Sequence, residues 1–336
     1  MLLGLRYYSL IASFKKSVTS SPFCIYVVFY SQLLTFSLCL THSLTHSNIP
    51  DVPSVLSFKD CRDKEARSKY SSYDNLAADL ASGDMPQFTW VEPAYFSTPA
   101  QPATDQHPDH DVSLGEEVIK NIYESLRASP IWEDSVLMIT YDEHGGFFDH
   151  VQPPINVPNP DGKVATDDPF DFTRLGVRIP TVIVSPFIEK GSVFHSPPTT
   201  PDANNQTSSQ YDHTSIIATV VHKLFKPAEG FPTPEYLTKR DAWAKTFEDV
   251  FNYGDGVRKD CVQNLPEVFS HKLNVPDALP HSLGREFLTD LQEELLVMLA
   301  GAAGDESFTR ETMKGWTEGD GKAYCQAKMK SVLAAK

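Results

Sequence analysis

The sequence predicts an α/β fold, a largely parallel central sheet flanked by helices, and three observations carry that reading. "SVLMITY", Ser135 to Tyr141, is a continuous apolar run of the kind that forms a strand buried on both faces. "PTVIVS", Pro180 to Ser185, is a second such run. Ahead of the first, Leu114, Val118, Ile122 and Leu126 recur on one helical face, as they do when a helix lies against a sheet. Helix, buried strand, long loop and buried strand is an α/β cadence, and ligands of such sheets sit beyond the carboxyl ends of the strands.

The remaining elements follow in order. Residues 1–48 are nearly free of acids, and Lys15 and Lys16 precede an apolar run from Phe23 to Leu40. Ser31, Gln32, Thr35 and Ser37 interrupt that run, and a membrane anchor needs about 20 apolar residues. The segment is either a signal sequence or signal anchor, which would make the protein secreted or membrane-associated, or an N-terminal stretch outside the folded domain. Globular composition begins near Phe58. "QFTWVEPAYF", Gln87 to Phe96, reads as a short strand ending at a proline, and Ser113 with Glu116 fits a capping box at the start of the next helix. Asp212 to Phe225 reads as a helix with Ile216, Ile217, Val220, Val221 and Leu224 as its buried stripe, preceded by a surface loop from Ser196 to Gln210. Two more helices are expected near Phe287 to Leu299 and Thr309 to Ala334. The domain plan is an unmatched leader over 1–48, a main domain over 49–250 and a helical C-terminal extension over 251–336.

Bulk charge narrows the function. The net charge of -15 argues against a general affinity for nucleic acid or for anionic lipid, since both reward clustered Lys and Arg. A phosphate-bearing substrate would therefore need a local positive centre, most simply a bound metal ion. Cys24, Cys39, Cys61, Cys261 and Cys325 are scattered, with no C-x-x-C spacing to suggest zinc or redox work. Asn205-Gln206-Thr207 would accept a glycan in a secreted chain.

The densest chemistry lies in "ITYDEHGGFFDHV", Ile139 to Val151. Asp142 and Glu143 are neighbours that converge only if the strand breaks, and Gly145-Gly146 supplies the backbone freedom for that. Converging carboxylates suit a hard divalent cation, with His144 and His150 as further ligands or hydrogen-bond partners and Asp149 orienting a histidine. The alternative is that the acidic pair decorates a turn and His150 is a surface residue. "DQHPDHD" places His107, Asp109, His110 and Asp111 ahead of the capped helix, and His213 with Asp212 stands at a helix start where an anion could meet free N–H groups, unless the pair is only a cap. Phe147 and Phe148 are expected to face the core or line a pocket; otherwise they would be available for membrane docking.

Four stretches resemble one family: "HPDHDVSLGEEVIKNIYESLRASPIWEDSVLMITYDEHGGFFDHVQPP", "RLGVRIPTVIVSPFIEKGSVFH", "YDHTSIIATVVHKLF" and "LTKRDAWAKTF". The family is that of phosphoesterases containing bacterial and plant non-specific phospholipases C and related acid phosphatases. The resemblance implies an alkaline phosphatase-like sheet, with 49–250 as the C-terminal half of the catalytic domain and the N-terminal part of that domain incomplete. It implies a divalent metal ion on Asp142 and Glu143, and His110 as a histidine contacting the phosphoryl group or protonating the departing alkoxide; with the histidines singled out above, the candidate catalytic set is His110, His150 and His213. Chemistry would pass through a phosphorylated Ser or Thr, and a glycerophospholipid would yield diacylglycerol and a phosphorylated head group. No Glu-Asn-Arg-Ser-Phe-Asp-His type motif stands in the chain, so the nucleophile is unassigned and weak metal holding and poor turnover are expected. A truncated gene product or a degenerate paralogue would both account for that. Rival readings are a soluble acid phosphatase of the same family and a non-catalytic phosphoester-binding fragment. Expected partners are a phospholipid or other phosphoester, with peripheral membrane contact and no nucleic acid.

Overall fold

The computed structural model describes residues 24–29, 43–47, 70–97, 102–108, 110–165, 170–196, 207–225, 235–254, 256–269 and 287–334. Lys15, Lys16, Asp109 and Asn205 with Gln206 of the sequon lie outside the described residues. The chain divides into two compact units. One, the sheet unit, comprises Cys24–Gly146, Thr181–Ile183 and Asp260–Lys336, and the second includes Phe147–Pro180 and Val184–Lys259. Among the described residues no helix is long and apolar enough to cross a membrane.

In the sheet unit six strands lie in the order β3-β2-β4-β1-β5-β6: β1 Cys24–Phe29, β2 Ser43–Ser47, β3 Tyr70–Ser72, β4 Phe88–Val91, β5 Ser135–Thr140 and β6 Thr181–Val184. β1 pairs in parallel with β4 and with β5, its Val27 standing opposite Trp90 on one side and Met138 on the other. β2 pairs in parallel with β3 and with β4. Two of these strands, β1 and β2, lie within residues 1–48. "CIYVVF" is rich in β-branched and aromatic residues, the composition of a strand.

β5 is buried along its length apart from Ile139, which is half-buried. β6 is not the doubly buried strand expected of its apolar run, since Thr181 and Val182 are exposed. It is the last strand in the order, so among the described strands only β5 neighbours it, with Thr140 Oγ1 2.7 Å from Thr181 Oγ1.

Two helices precede β5. α1 (Leu76–Ser82) ends at Gly83, whose left-handed φ of 74° closes the helix with its N–H on Leu80 O. α2 (Val112–Ala128) starts two residues earlier than the Ser113–Glu116 pattern indicates. Its cap is Asp111, whose side chain accepts the Ser113 N–H at 3.0 Å, while Ser113 itself is buried in the first turn. Val118, Ile122 and Leu126 are buried as the periodicity predicts, joined by Tyr123. Gly115 is also buried, for a steric reason. A Cβ there would stand 2.3 Å from Gln106 Cγ and 3.0 Å from the Thr104 carbonyl oxygen, so its absence lets the loop before the helix cross the helix closely.

The unit closes with α5 (Asp290–Ala302) and α6 (Glu318–Ala334), the latter separated from a short 3-10 turn at Arg310–Met313 where one continuous helix was expected. Tyr95 and Phe96, just after β4, are buried in one cluster with Leu295, Leu296, Leu299, Phe308 and Met313. Phe308 stacks on Tyr324 at 4.2 Å, and a Cβ on Gly321 would come within 2.7 Å of Leu288 Cδ2, so these helices are packed tightly against the loop leaving β4.

The second unit holds α3 (Thr214–Thr219), which continues as a π-helical turn over Val220–Leu224, and α4 (Lys239–Trp243). Thr214 to Val221 are all buried, a wider face than the predicted stripe. Thr207 and Gln210, expected on a surface loop, are buried too. Thr207 exchanges bonds with the Ile155–Asn156 backbone, its hydroxyl donating to Ile155 O at 2.6 Å and its N–H to Asn156 O at 3.0 Å.

The Gly115 contact yields a prediction. Gly115→Ala should lower the stability of the protein by about 1–3 kcal/mol through overpacking, read as the shift of the urea midpoint. Adding Gln106→Ala should recover part of the loss, because the two sites share one steric conflict.

Candidate active site

The loop from Thr104 to His110 is built onto the end of β4. Ala94 O accepts the N–H of Thr104 at 2.8 Å and of Asp105 at 3.2 Å, and Thr104 Oγ1 takes the Ala94 N–H at 2.9 Å. Asp105, fully buried, is thereby presented to His110. Its Oδ2 lies 2.6 Å from His110 Nδ1, and its Oδ1 accepts the His107 N–H at 3.0 Å. The other ring nitrogen, His110 Nε2, lies 3.6 Å from Glu318 Oε1 in the first turn of α6. His110 keeps 11% of its side-chain exposure, Asp105 none and Glu318 5%.

An imidazole so enclosed responds to opposing forces. Burial pushes its pKa down, but the Asp105 and Glu318 carboxylates outweigh burial and raise it to about 10. Glu318 shows the complementary balance: burial pushes its carboxyl up, while the neighbouring His110 and the hydrogen bond from Gln292 hold it below the ordinary value. Gln292, fully buried in α5, is completely used. Its Oε1 accepts the Thr289 N–H at 3.0 Å, and its Nε2 donates to Glu318 Oε1 at 2.6 Å and to Tyr95 O at 2.8 Å.

The same loop reaches the acidic pair. Tyr141, the residue after β5, donates its hydroxyl to Gln106 Oε1, and Gln106 Nε2 donates to Val112 O at 3.0 Å. Asp142 follows at once and is buried, at 6% exposure. Asp142 Oδ1 accepts the Glu143 N–H at 2.7 Å and Glu143 Oε2 accepts the Gly145 N–H at 2.6 Å. Gly145 and Gly146 have φ of 63° and 74°, the left-handed conformation that the strand break requires. Each carboxylate thus stabilises the turn with one oxygen. Among the described residues no group of three or more His, Cys, Asp or Glu has the spacing of a metal cluster. One or two carboxylates completed by water and phosphate oxygens is nonetheless a common way of holding Mg²⁺, so the donor chemistry fits a divalent cation.

His150 and His213 belong to the second unit. His150 is 83% exposed in its side chain and lies 3.4 Å from Asp149 Oδ1. Asp149 is engaged by Arg178 instead, through paired bonds of 2.8 Å from Nε and Nη2, and that guanidinium holds the Asp149 carboxyl well below the usual carboxylate range. At the start of α3, Asp212 does the capping: its Oδ1 takes the Thr214 N–H at 2.8 Å, and its Oδ2 lies 3.6 Å from the largely buried Arg240. Arg240 also donates to Pro158 O at 2.8 Å and to Phe172 O at 2.6 Å, while Asp241 caps α4 with Thr238. Phe147 and Phe148 overturn the expectation of a buried role, at 65% and 92% exposure. The bend at Gly145-Gly146 carries the backbone out of β5 before them.

A match to the Phosphoesterase family covers residues 30–226, more than half of the chain. The chain belongs to the phosphoesterase family. It is 41% identical over 291 residues to non-specific phospholipase C1 of Arabidopsis thaliana, covering 85% of this chain and 51% of that protein. To non-specific phospholipase C6 of the same plant it is 41% identical over 276 residues, 80% of this chain and 49% of that protein. Phospholipase C B of Mycobacterium tuberculosis is 28% identical over 190 residues, 53% of this chain and 32% of its own length. The chain thus spans about half the length of the plant relatives it matches. Within the phosphoesterase match lie His110, Asp142, Glu143, His150 and His213; Gln292 and Glu318 lie beyond it.

Sequence reasoning missed Asp105, Gln292 and Glu318. Asp105 opens the "DQHPDHD" stretch and was within reach, whereas Thr289 and Gln292 advertise only a capping box and Glu318 looks like any acid in a first helical turn.

The protonation state of His110 gives a pH dependence. Its folded pKa lies above the unfolded value of 6.5, so its contribution to stability is complete below pH 6.5 and is lost as pH rises through about 10. Denaturant midpoints measured across that range should fall for the native protein, and the fall should be shallower for His110→Gln.

Proposed function

We propose that this chain carries out, or forms the leaving-group side of, phosphoester hydrolysis of the phospholipase C type, cleaving glycerophospholipids to diacylglycerol and a phosphorylated head group. The observation that carries the reading is the buried His110 imidazole between Asp105 and Glu318, supported by the acidic pair at the end of β5 and by the names of the plant relatives. The fold reading that accompanies it is alkaline phosphatase-like, with the site at the carboxyl ends of β4 and β5.

His110 is charged over the whole physiological range, so it acts as a fixed positive centre toward phosphoryl oxygens and as the proton donor to the departing alkoxide. Asp105 orients the ring by holding Nδ1. Asp142 and Glu143 would hold a divalent cation, which when bound supplies charge neutralisation for the phosphate. Within a protein of net charge -15, the His110 imidazolium and the cation, when bound, are the positive points that would meet an anionic substrate. The exposed Phe147 and Phe148 support peripheral contact with a lipid surface.

The test is hydrolysis of a soluble chromogenic phosphodiester and of phosphatidylcholine vesicles by the purified chain. Asp142→Asn and chelation should each reduce kcat by about 10²-fold or more, the scale at which losing one preorganised charge contact acts. His110→Gln should act similarly. Faster turnover of a phosphomonoester would favour the acid phosphatase reading, and saturable binding without turnover would leave a phosphoester-binding protein.

A further inference from the structure

Glu318 lies outside the phosphoesterase match over residues 30–226, in a helix that the sequence presents as an extension, yet its carboxylate is buried against His110. We propose that Glu318 is a positioning residue for His110, holding the imidazole doubly protonated so that Nε2 carries a proton in the site. The proposal rests on the functional reading above and adds a residue to it.

The geometry of the ring supports this. Asp105 alone, 2.6 Å from Nδ1, would fix a neutral imidazole as the tautomer with a proton on Nδ1 and a lone pair on Nε2. That lone pair would face the Glu318 carboxylate 3.6 Å away, a repulsive contact in a site with little water to screen it. A proton on Nε2 turns the same contact into an attraction. Among the described residues, the charged groups that act on His110 are Asp105 from the loop after β4 and Glu318 from α6.

The distance matters as much as the charge. Glu318 Oε1 accepts the Gln292 Nε2–H at 2.6 Å and the Ser97 N–H at 3.5 Å. Gln292 is itself tied to Tyr95 O and Thr289 N, so it cannot release Glu318 without breaking other buried bonds. Glu318 is thus held beyond hydrogen-bond range of Nε2. It stabilises the charge of the ring without capturing the proton, and the Nε2–H stays available to an acceptor that comes closer, such as a phosphoryl oxygen. A purely structural helix cap would not need this carboxylate. Asp320, not Glu318, accepts the Thr317 N–H at 2.9 Å and the Thr317 hydroxyl at 2.8 Å at the start of α6.

The experiment follows the His110 ring by NMR during a pH titration of the full chain, with its signal assigned by loss in His110→Gln. In the native protein the ring should stay cationic well above the ordinary histidine range. Glu318→Gln should lower the midpoint by one pH unit or more, a tenfold loss of proton affinity. Glu318→Asp, which keeps the charge but retracts it, should fall in between. Asp320→Asn removes the same charge from the same helix and should leave the midpoint in place. The alkaline limb of kcat/KM for the chromogenic phosphodiester should move with the midpoint in Glu318→Gln. An unmoved midpoint in Glu318→Gln overturns the proposal; if near-UV circular dichroism shows that variant unfolded, an unmoved midpoint in Glu318→Asp overturns it equally. Hydrolysis with neither the midpoint nor the alkaline limb displaced removes Glu318 from the site and leaves the functional reading standing. A displaced midpoint with no hydrolysis by any form removes the functional reading and leaves the coupling of Glu318 to His110 intact.

Discussion

A buried imidazolium between two carboxylates, Asp105 and Glu318, is the constraint around which the sheet unit is arranged. Burying a carboxylate without a partner costs several kcal/mol, and the cost falls only when the opposite charge is placed accurately and the remaining lone pairs are occupied. Each of the three groups therefore depends on backbone that must not drift. The loop carrying Asp105 hangs from the Ala94 peptide and is pressed against α2 at Gly115. Glu318 depends on Gln292, and Gln292 depends on the aromatic and aliphatic cluster that seats α5 and α6 on Tyr95 and Phe96. A site of one charged ring thus recruits the loop after β4, the start of α2 and two helices from the far end of the chain.

The strand-end carboxylates obey a different logic. Asp142 and Glu143 spend one oxygen each on backbone N–H groups of their own turn, so their positions are set locally by two left-handed glycines. Local anchoring makes the pair rigid in advance of any ligand, which suits a cation site that must not pay reorganisation on binding. The Tyr141 to Gln106 bond joins this turn to the histidine loop, so a movement of either is felt by the other.

In the second unit, residues conspicuous in the sequence serve as ties. Arg240 gathers the carbonyls of Pro158 and Phe172 and the Asp212 carboxylate, and burial pushes its pKa down while Asp212 pulls it back up. Asp149 and Arg178 pair across two separate stretches, at a surface where water screens the attraction and the geometric value exceeds the energetic one. Asp212 and Asp241 are helix caps. Charged residues in a dense motif are therefore of two kinds, and only their partners tell them apart.

The sequence by itself determined the α/β class, the helix after "DQHPDHD" with Val118, Ile122 and Leu126 on its buried face, the strand before Tyr141 and the backbone break at Gly145-Gly146, because those follow from periodicity, apolar runs and the conformational freedom of glycine, all local properties. Tertiary structure alone decided that "CIYVVF" stands between β4 and β5, since apolarity does not name a strand's partners and only the register does. It alone exposed β6 and the Phe147-Phe148 pair, since burial depends on neighbours and not on the hydrophobicity of the run. It alone brought Glu318 to His110, because a contact across more than 200 positions leaves no trace in the spacing of either residue. Periodicity reports what a segment prefers to be; which charge meets which is settled only when the chain has closed on itself.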